Sequence, residues 1–303
     1  MGVHRFPRMA PVVLSVLLLT GCGERPVGES GGAPGAKELI VTRVKGELPH
    51  LDPLAGAWVQ AREVVVELLP QDVMEPRVSE LGPASLRLRG LFDNERVAFR
   101  LEWEDGSADA LVNVDRSTDA VAIQLPLAGA QGSLPDAMMG EAGKAVFIAQ
   151  WRYALQERLE GRPHGVAALY PNASVDHYPF EGARDAALRA EMEQRYAPSR
   201  AAENPVAAAQ VLSAVQDLTA EGFGTLRFLP DQRSQGKGVH AEGKWLVTIS
   251  RPLDLDAGAL TPLRPGASSF IAVATWDGGK GHTGSKKMRS IWVPLRILGG
   301  PES

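Results

Sequence analysis

From Arg96 to Asp105 the chain alternates residue by residue, with Val97, Phe99, Leu101 and Trp103 on one face and Arg96, Ala98, Arg100 and Glu102 on the other. A period of two is that of a strand with one side on a core and the other toward water. The preceding run SLRLRGLF joins it through Asp93, Asn94 and Glu95, polar turn residues that close a hairpin. A second hairpin is expected in KGVHAEGKWLVTISRPL, with Glu242-Gly243 as the turn and Trp245, Val247 and Ile249 sharing a face. The runs EVVVELL, AVAIQLPL, AVFIAQWRYA, SSFIAVATWDG and SIWVPLRIL add further strands. About nine strands suffice for two packed sheets, so the expected fold is all-β, an antiparallel β-sandwich.

One region breaks this rhythm. DAALRAEMEQRY and PVAAAQVLSAVQDL carry helix formers with apolar residues three or four apart, and Pro205 suits the first turn of the second segment. A small helical insertion over about 184–218 is therefore expected, preceded by a long loop. An insertion of this size between sandwich strands is expected to cover a site or a partner surface.

The N-terminus changes the picture from fold to address. Arg5 and Arg8 precede the apolar stretch Val12 to Leu19, too short to span a bilayer, and Leu19-Thr20-Gly21-Cys22 closes it with small residues. This ending resembles a bacterial lipobox, which implies a signal peptide over 1–21, cleavage before Cys22 and acylation there. Two or more acyl chains make such an anchor stable. Residues 22–36, rich in Gly, Pro and Ser, read as a flexible tether, and residues 37–303 as the folded domain. Export to the cell envelope facing the periplasm is expected. Gly23 stands where an inner-membrane retention aspartate would, which favours the outer membrane.

Cys22 is the only cysteine, so the mature domain has no disulfide, no thiolate metal site and no attachment point for covalent haem. The formal charge of −4, with no run of Lys or Arg, argues against nucleic acid as a partner. No two of the six histidines have a zinc-ligand spacing, and neither a nucleophile elbow nor a phosphate loop is present. The histidines read as ordinary loop or surface residues. One oddity is PDAMMGEAG, which spends two of the chain's seven methionines side by side. Met138 and Met139 fill a core gap or offer a sulfur to a metal, and the residues alone leave both open.

Several phrases recur in one order: LRLRGLFDNERVAFRLEWED, DAVAIQLPL, MMGEAGKAVFIAQW, QGKGVHAEGKWLVTISRPL and FIAVATWDGGKGHTGSKKMRSIWVPL. This order resembles the ethylbenzene-dehydrogenase-related haem-binding domain, the b-haem gamma subunit of type II enzymes in the dimethyl-sulfoxide-reductase family. The resemblance implies a sandwich holding one haem b between a methionine sulfur and a lysine amine. The methionine of its Met-Gly step maps to Met139, before the strand ending at Trp151. The lysine of its Lys-x-x-Ser-x-Trp phrase maps to Lys287, ahead of Ser290 and Trp292. Met138 and Lys286 are the one-residue alternatives.

The resemblance further implies an electron-transfer protein without substrate chemistry of its own, whose redox partner is a molybdoenzyme's catalytic subunits or a cytochrome. A thioether ligand raises a haem's reduction potential, and a lysine must be neutral to bind, at about 4 to 5 kcal/mol for an ordinary amine at pH 7. Two features depart from the family pattern: the lipid address, and the scarcity of aromatic residues beside Trp151. A cofactor-free binding lipoprotein on the same fold is the alternative.

Overall fold

The computed structural model describes Gly2 and residues 38–110, 116–127, 133–162, 166–172, 185–196, 211–253 and 263–299. Its contacts separate Met1–Gly35 from Ala36–Ser303. Apart from Gly2, the expected signal peptide, Cys22 and the tether lie outside the described residues. No described helix is long and apolar enough to cross a membrane.

The first half of the domain runs β1 (Leu39–Arg43), β2 (Val64–Glu67), β3 (Leu69–Pro70), β4 (Ser85–Phe92), β5 (Arg96–Glu104), β6 (Ala120–Pro126) and β7 (Val146–Arg152). Helices α1 (Tyr153–Leu159), α2 (Val166–Leu169) and α3 (Ala186–Tyr196) follow. The second half is β8 (Val215–Ala220), β9 (Arg227–Phe228), β10 (Gln235–Ala241), β11 (Lys244–Pro252), β12 (Ser268–Trp276), β13 (Met288–Arg289) and β14 (Val293–Ile297).

Both expected hairpins form. Asp93 Oδ1 accepts the N–H groups of Glu95 (2.8 Å) and Arg96 (2.7 Å), which closes the turn between β4 and β5. Glu242 and Gly243, both at positive φ, turn β10 into β11 with the twist that two-residue hairpins need. One face of the sandwich is β10-β11-β5-β4 with β2 beside β4; the other is β14-β12-β6-β7-β8-β9, flanked by β13 and β3. Between them lies one apolar core, in which Leu88, Phe99, Leu101 and Val247 from the first face meet Val121, Ile123, Phe147, Trp151 and Val273 from the second.

The strand order is connected throughout, because β1 pairs with β14 through Leu39–Val41 and with β4 through Thr42–Arg43. Both β1 pairings are parallel, where a wholly antiparallel sandwich was expected. β1 lies far in sequence from β4 and β14, so no tight hairpin fixes its direction.

The helical insertion is corrected in part. Helix α3 is present, but Val215–Leu218, assigned above to a second helix, belong to strand β8, hydrogen-bonded between β7 and β9. Its inward face carries Asp217, whose Oδ2 accepts the N–H groups of Arg233 (2.7 Å) and Ser234 (2.9 Å). A polar residue with a buried structural task hides the alternation that would have marked the strand. Residues 205–210 lie outside the described residues.

Candidate functional site

Strand β6 is buried on both faces and β12 over Ile271–Val273, and their residue sizes sort by face. Inward stand Val121, Ile123 and Leu125, with Ile271 and Val273. Outward stand Ala120 opposite Trp276, Ala122 opposite Ala274, and Gln124 opposite Ala272. Alternating large and small residues pack the sandwich on one side and leave a flat alanine floor on the other. At the Ala120 end of this floor opens a cavity of about 410 Å³, within the range of small-molecule sites, while Ala122, Ala272 and Ala274 line a smaller chamber that shares Met139, Trp276 and Lys287 with it. Met139, Ile148, Leu218, Phe223 and Trp276 wall its apolar part.

Met139 enters from the loop after β6. It holds φ +74°, and Gly140 after it φ +77°. The left-handed region costs a residue with a Cβ about 1 to 2 kcal/mol, so surrounding contacts must hold Met139 there. They do so on several sides: Gly140 N–H donates to Asp136 O (2.9 Å), Gly222 N–H to Met139 O (2.8 Å) and Gln124 Nε2 to Ala137 O (2.9 Å). A Cβ on Gly140 would stand 2.7 Å from Lys144 O and 3.0 Å from Ala220 O, both backbone. The Met-Gly step is therefore a packing requirement of the loop as well as a sequence signature.

Lys287 enters from the opposite side, just before β13. Ser290 locks the segment to β12 by exchanging bonds with Val273: its N–H donates to Val273 O and its hydroxyl accepts Val273 N–H, each at 2.9 Å. Trp292 then donates its indole N–H to Pro135 O (2.6 Å), tying the lysine segment to the methionine loop. The Gln71 N–H donates to Lys287 O (3.0 Å), while Gln71 Nε2 donates to Ser285 O (3.1 Å). Each member of the Lys-x-x-Ser-x-Trp phrase thus has a mechanical task.

The two side chains meet: Lys287 Nζ donates to Met139 Sδ at 3.3 Å. Lys287 is 8% exposed, and its Nζ lies 5.4 Å from the centre of the Trp276 ring. Burial, and secondarily the Arg289 guanidinium, lowers its pKa to about 8. Lys286 is absent from the cavity lining, and Met138 touches only a small side chamber. Met139 and Lys287, rather than their neighbours, are the pair brought together.

His282 also reaches the cavity, but it is a buried loop histidine and not a surface one. Its Nδ1 accepts Asp277 N–H (3.3 Å) and its Nε2 donates to Glu80 O (2.7 Å), so both ring nitrogens are engaged. Trp151, the landmark after the Met-Gly step, points into the sandwich core and donates to Gln156 Oε1 (3.0 Å). No described residue of α2 or α3 lines the cavity. The alanine floor, Gln71, Trp276 and Arg152 were not foreseen; small residues alternating with large ones in two strands were the available signal.

The donor set and the floor fit a flat iron-bearing macrocycle. A thioether and a neutral amine are both ligands that haem iron accepts, and the apolar cavity they line suits a largely apolar ring. A Haloferax mediterranei protein carrying the provisional name respiratory nitrate reductase heme subunit is 24% identical over 97% of this chain and 83% of its own. The chlorate reductase subunit gamma of Ideonella dechloratans is likewise 24% identical, over 96% of this chain and 97% of its own. Residues 55–288, which carry the floor, the Met-Gly loop and Lys287, match the family described as ethylbenzene dehydrogenase, and the chain belongs to that family.

Proposed function

We propose that the protein is a haem b electron-transfer subunit, with Met139 and Lys287 as axial ligands, serving a reductase partner. The observation that carries this reading is the contact of one thioether and one buried amine at the wall of an apolar cavity. The names of the two relatives, a heme subunit and a gamma subunit of reductases, support it. When bound, haem iron exchanges single electrons.

The chain's own residues prepare the site. Met139 offers a neutral sulfur that needs no deprotonation. Trp276 and the apolar wall keep water from Lys287, which brings its amine nearer neutrality. The loop bonds around Gly140 and the Ser290 and Trp292 bonds hold both donors in place, so little ordering remains for binding. The partner in this proposal is a molybdenum-containing catalytic subunit or a cytochrome. Acyl chains on Cys22 would hold the domain at the periplasmic side of the envelope, on the outer membrane.

The test is an absorption spectrum of the purified protein, oxidised and dithionite-reduced, followed by pyridine extraction. Sharp reduced bands from one extractable haem b are expected, altered by Met139→Ala and Lys287→Ala and unaltered by Met138→Ala and Lys286→Ala. A protein that stays colourless with added haem overturns the reading and returns the cofactor-free binding lipoprotein. For the anchor, Cys22→Ser is expected to move the protein from the detergent phase to the aqueous phase on phase partition.

A further inference from the structure

Arg152 ends β7 and faces the cavity by the same alternation that points Ile148 and Gln150 there. Other arginines of the sheets are paired: Arg89 with Glu63 (2.9 Å), Arg100 with Glu102 (2.9 Å) and Arg296 with Glu38 (2.8 Å). Among the described residues, no hydrogen bond or ion pair engages the Arg152 guanidinium. Glu75 is the acidic residue in the cavity wall, and it pairs with Arg77 at 2.8 Å. Burial lowers the pKa of Arg152 with no acidic neighbour to oppose it. A partly buried cation without a counter-charge carries a desolvation cost, so its place in a ligand cavity points to an anionic ligand group.

The register says where that group would lie. Arg152 is opposite Ala120, and Ala120 is opposite Trp276, whose ring touches the Lys287 amine. Two strand spacings separate Arg152 from Trp276, about 10 Å. The donor pair and the guanidinium thus stand on either side of Ala120, with Ser117 and Gln150 also lining the cavity. A haem is apolar over most of its ring and carries two propionate carboxylates on one edge.

We infer that Arg152 pairs with a haem propionate and thereby sets which edge of the ring faces β7. The inference rests on the haem reading above. A charge-assisted Arg–carboxylate pair is the strong form of hydrogen bond, and arginine's fixed fork suits it.

The experiment titrates apoprotein with haem b and with haem dimethyl ester, whose carboxylates are capped. It uses the unaltered protein, Arg152→Gln and Arg152→Lys, with circular dichroism and thermal unfolding to establish that each variant is folded. The unaltered protein is expected to prefer the free acid by roughly 10- to 100-fold, as for hydrogen bonds to charged groups. Arg152→Gln is expected to abolish that preference while leaving ester affinity unchanged, and Arg152→Lys to keep part of it. Equal binding of acid and ester by the unaltered protein, or an undiminished preference in Arg152→Gln, overturns the assignment. Failure of the unaltered protein to bind either form overturns the haem reading itself, and the two failures are thereby distinguished.

Discussion

The Lys287 amine touches the Met139 sulfur at 3.3 Å, although 148 positions separate them in the chain. In the proposed ligation the amine would have to lose its proton before meeting iron, and its surroundings reduce the cost. At a pKa of about 8, deprotonation at pH 7 costs about 1.4 kcal/mol, against about 5 kcal/mol for an ordinary lysine. Apparent haem affinity is therefore expected to fall about tenfold per pH unit as pH drops below 8, and to level off above it. A Lys287→Met variant is expected to show a flat profile over the same range. Titrations with haem b at fixed ionic strength between pH 5.5 and 9 check this, and equal slopes in the two proteins would sink it. The sign in the apoprotein follows from the same burial. Because the folded pKa lies below the unfolded value of 10.5, apoprotein stability rises with pH between about 8 and 10.5.

Gly140→Ala should act at a distance from any donor atom. The added methyl meets two backbone carbonyls, and neither can rotate away as a side chain would. The positive φ adds about 1 kcal/mol or more. The loop is expected to shift and withdraw Met139, giving a five-coordinate haem spectrum together with a loss of about 1 to 3 kcal/mol in urea unfolding. A stable variant with an unchanged six-coordinate spectrum would show that the Met-Gly step is dispensable.

The hairpins were legible because their alternation is intact and their turns carry the residues that turns need. Asp93 accepts two backbone N–H groups, and Gly243 takes positive φ. Strand β8 was not legible, because Gln216 faces the ligand side and Asp217 braces the backbone of Arg233 and Ser234, which leaves apolar residues at a helix-like spacing. The site divides in the same way. Met139 and Lys287 came from the resemblance, since no spacing rule connects residues on distant segments. The floor was invisible because alanine reads as a helix former in isolation. Only strand register shows Ala120, Ala122 and Ala274 as one surface. Arg152 reads as one more surface arginine until the cavity is seen.

Filling the floor separates the cavity from the fold. Ala120 is buried, lines the cavity and packs against none of the inward core residues. Ala120→Leu places three more carbons in apolar space that no protein atom fills. Apoprotein stability is expected to hold or rise by up to about 1 kcal/mol, while haem affinity falls at least tenfold. Parallel unfolding and haem titration check both halves. Unimpaired haem binding would place the ring elsewhere than over Ala120.

The last prediction concerns carboxyl groups that no sequence motif marked. Asp105, Asp119 and Asp277 bring oxygens within 4.8 Å of one another in the interior. Asp277 is answered by Lys280 at 2.9 Å, and Asp119 accepts the N–H groups of Asp109 (2.6 Å) and Gly278 (2.7 Å). Asp105 Oδ2 is buried without a partner. Burial first, and Asp277 second, pushes Asp105 up to about 6, and burial pushes Asp119 up to about 7. Since both lie above the unfolded value of 3.8, the folded state holds protons that the unfolded chain has released. Their contribution to stability therefore declines as pH rises from about 4 to 7 and remains unfavourable above that. Asp105→Asn removes one of these charges and supplies an N–H₂ group to the unpaired position. It is expected to stabilise the apoprotein by roughly 1 to 3 kcal/mol at pH 8 and to change little at pH 4.5. Urea unfolding at the two pH values decides the matter: an equal effect at both would mean that the substitution acts through packing, and that charge crowding among the three carboxyls is not the cause.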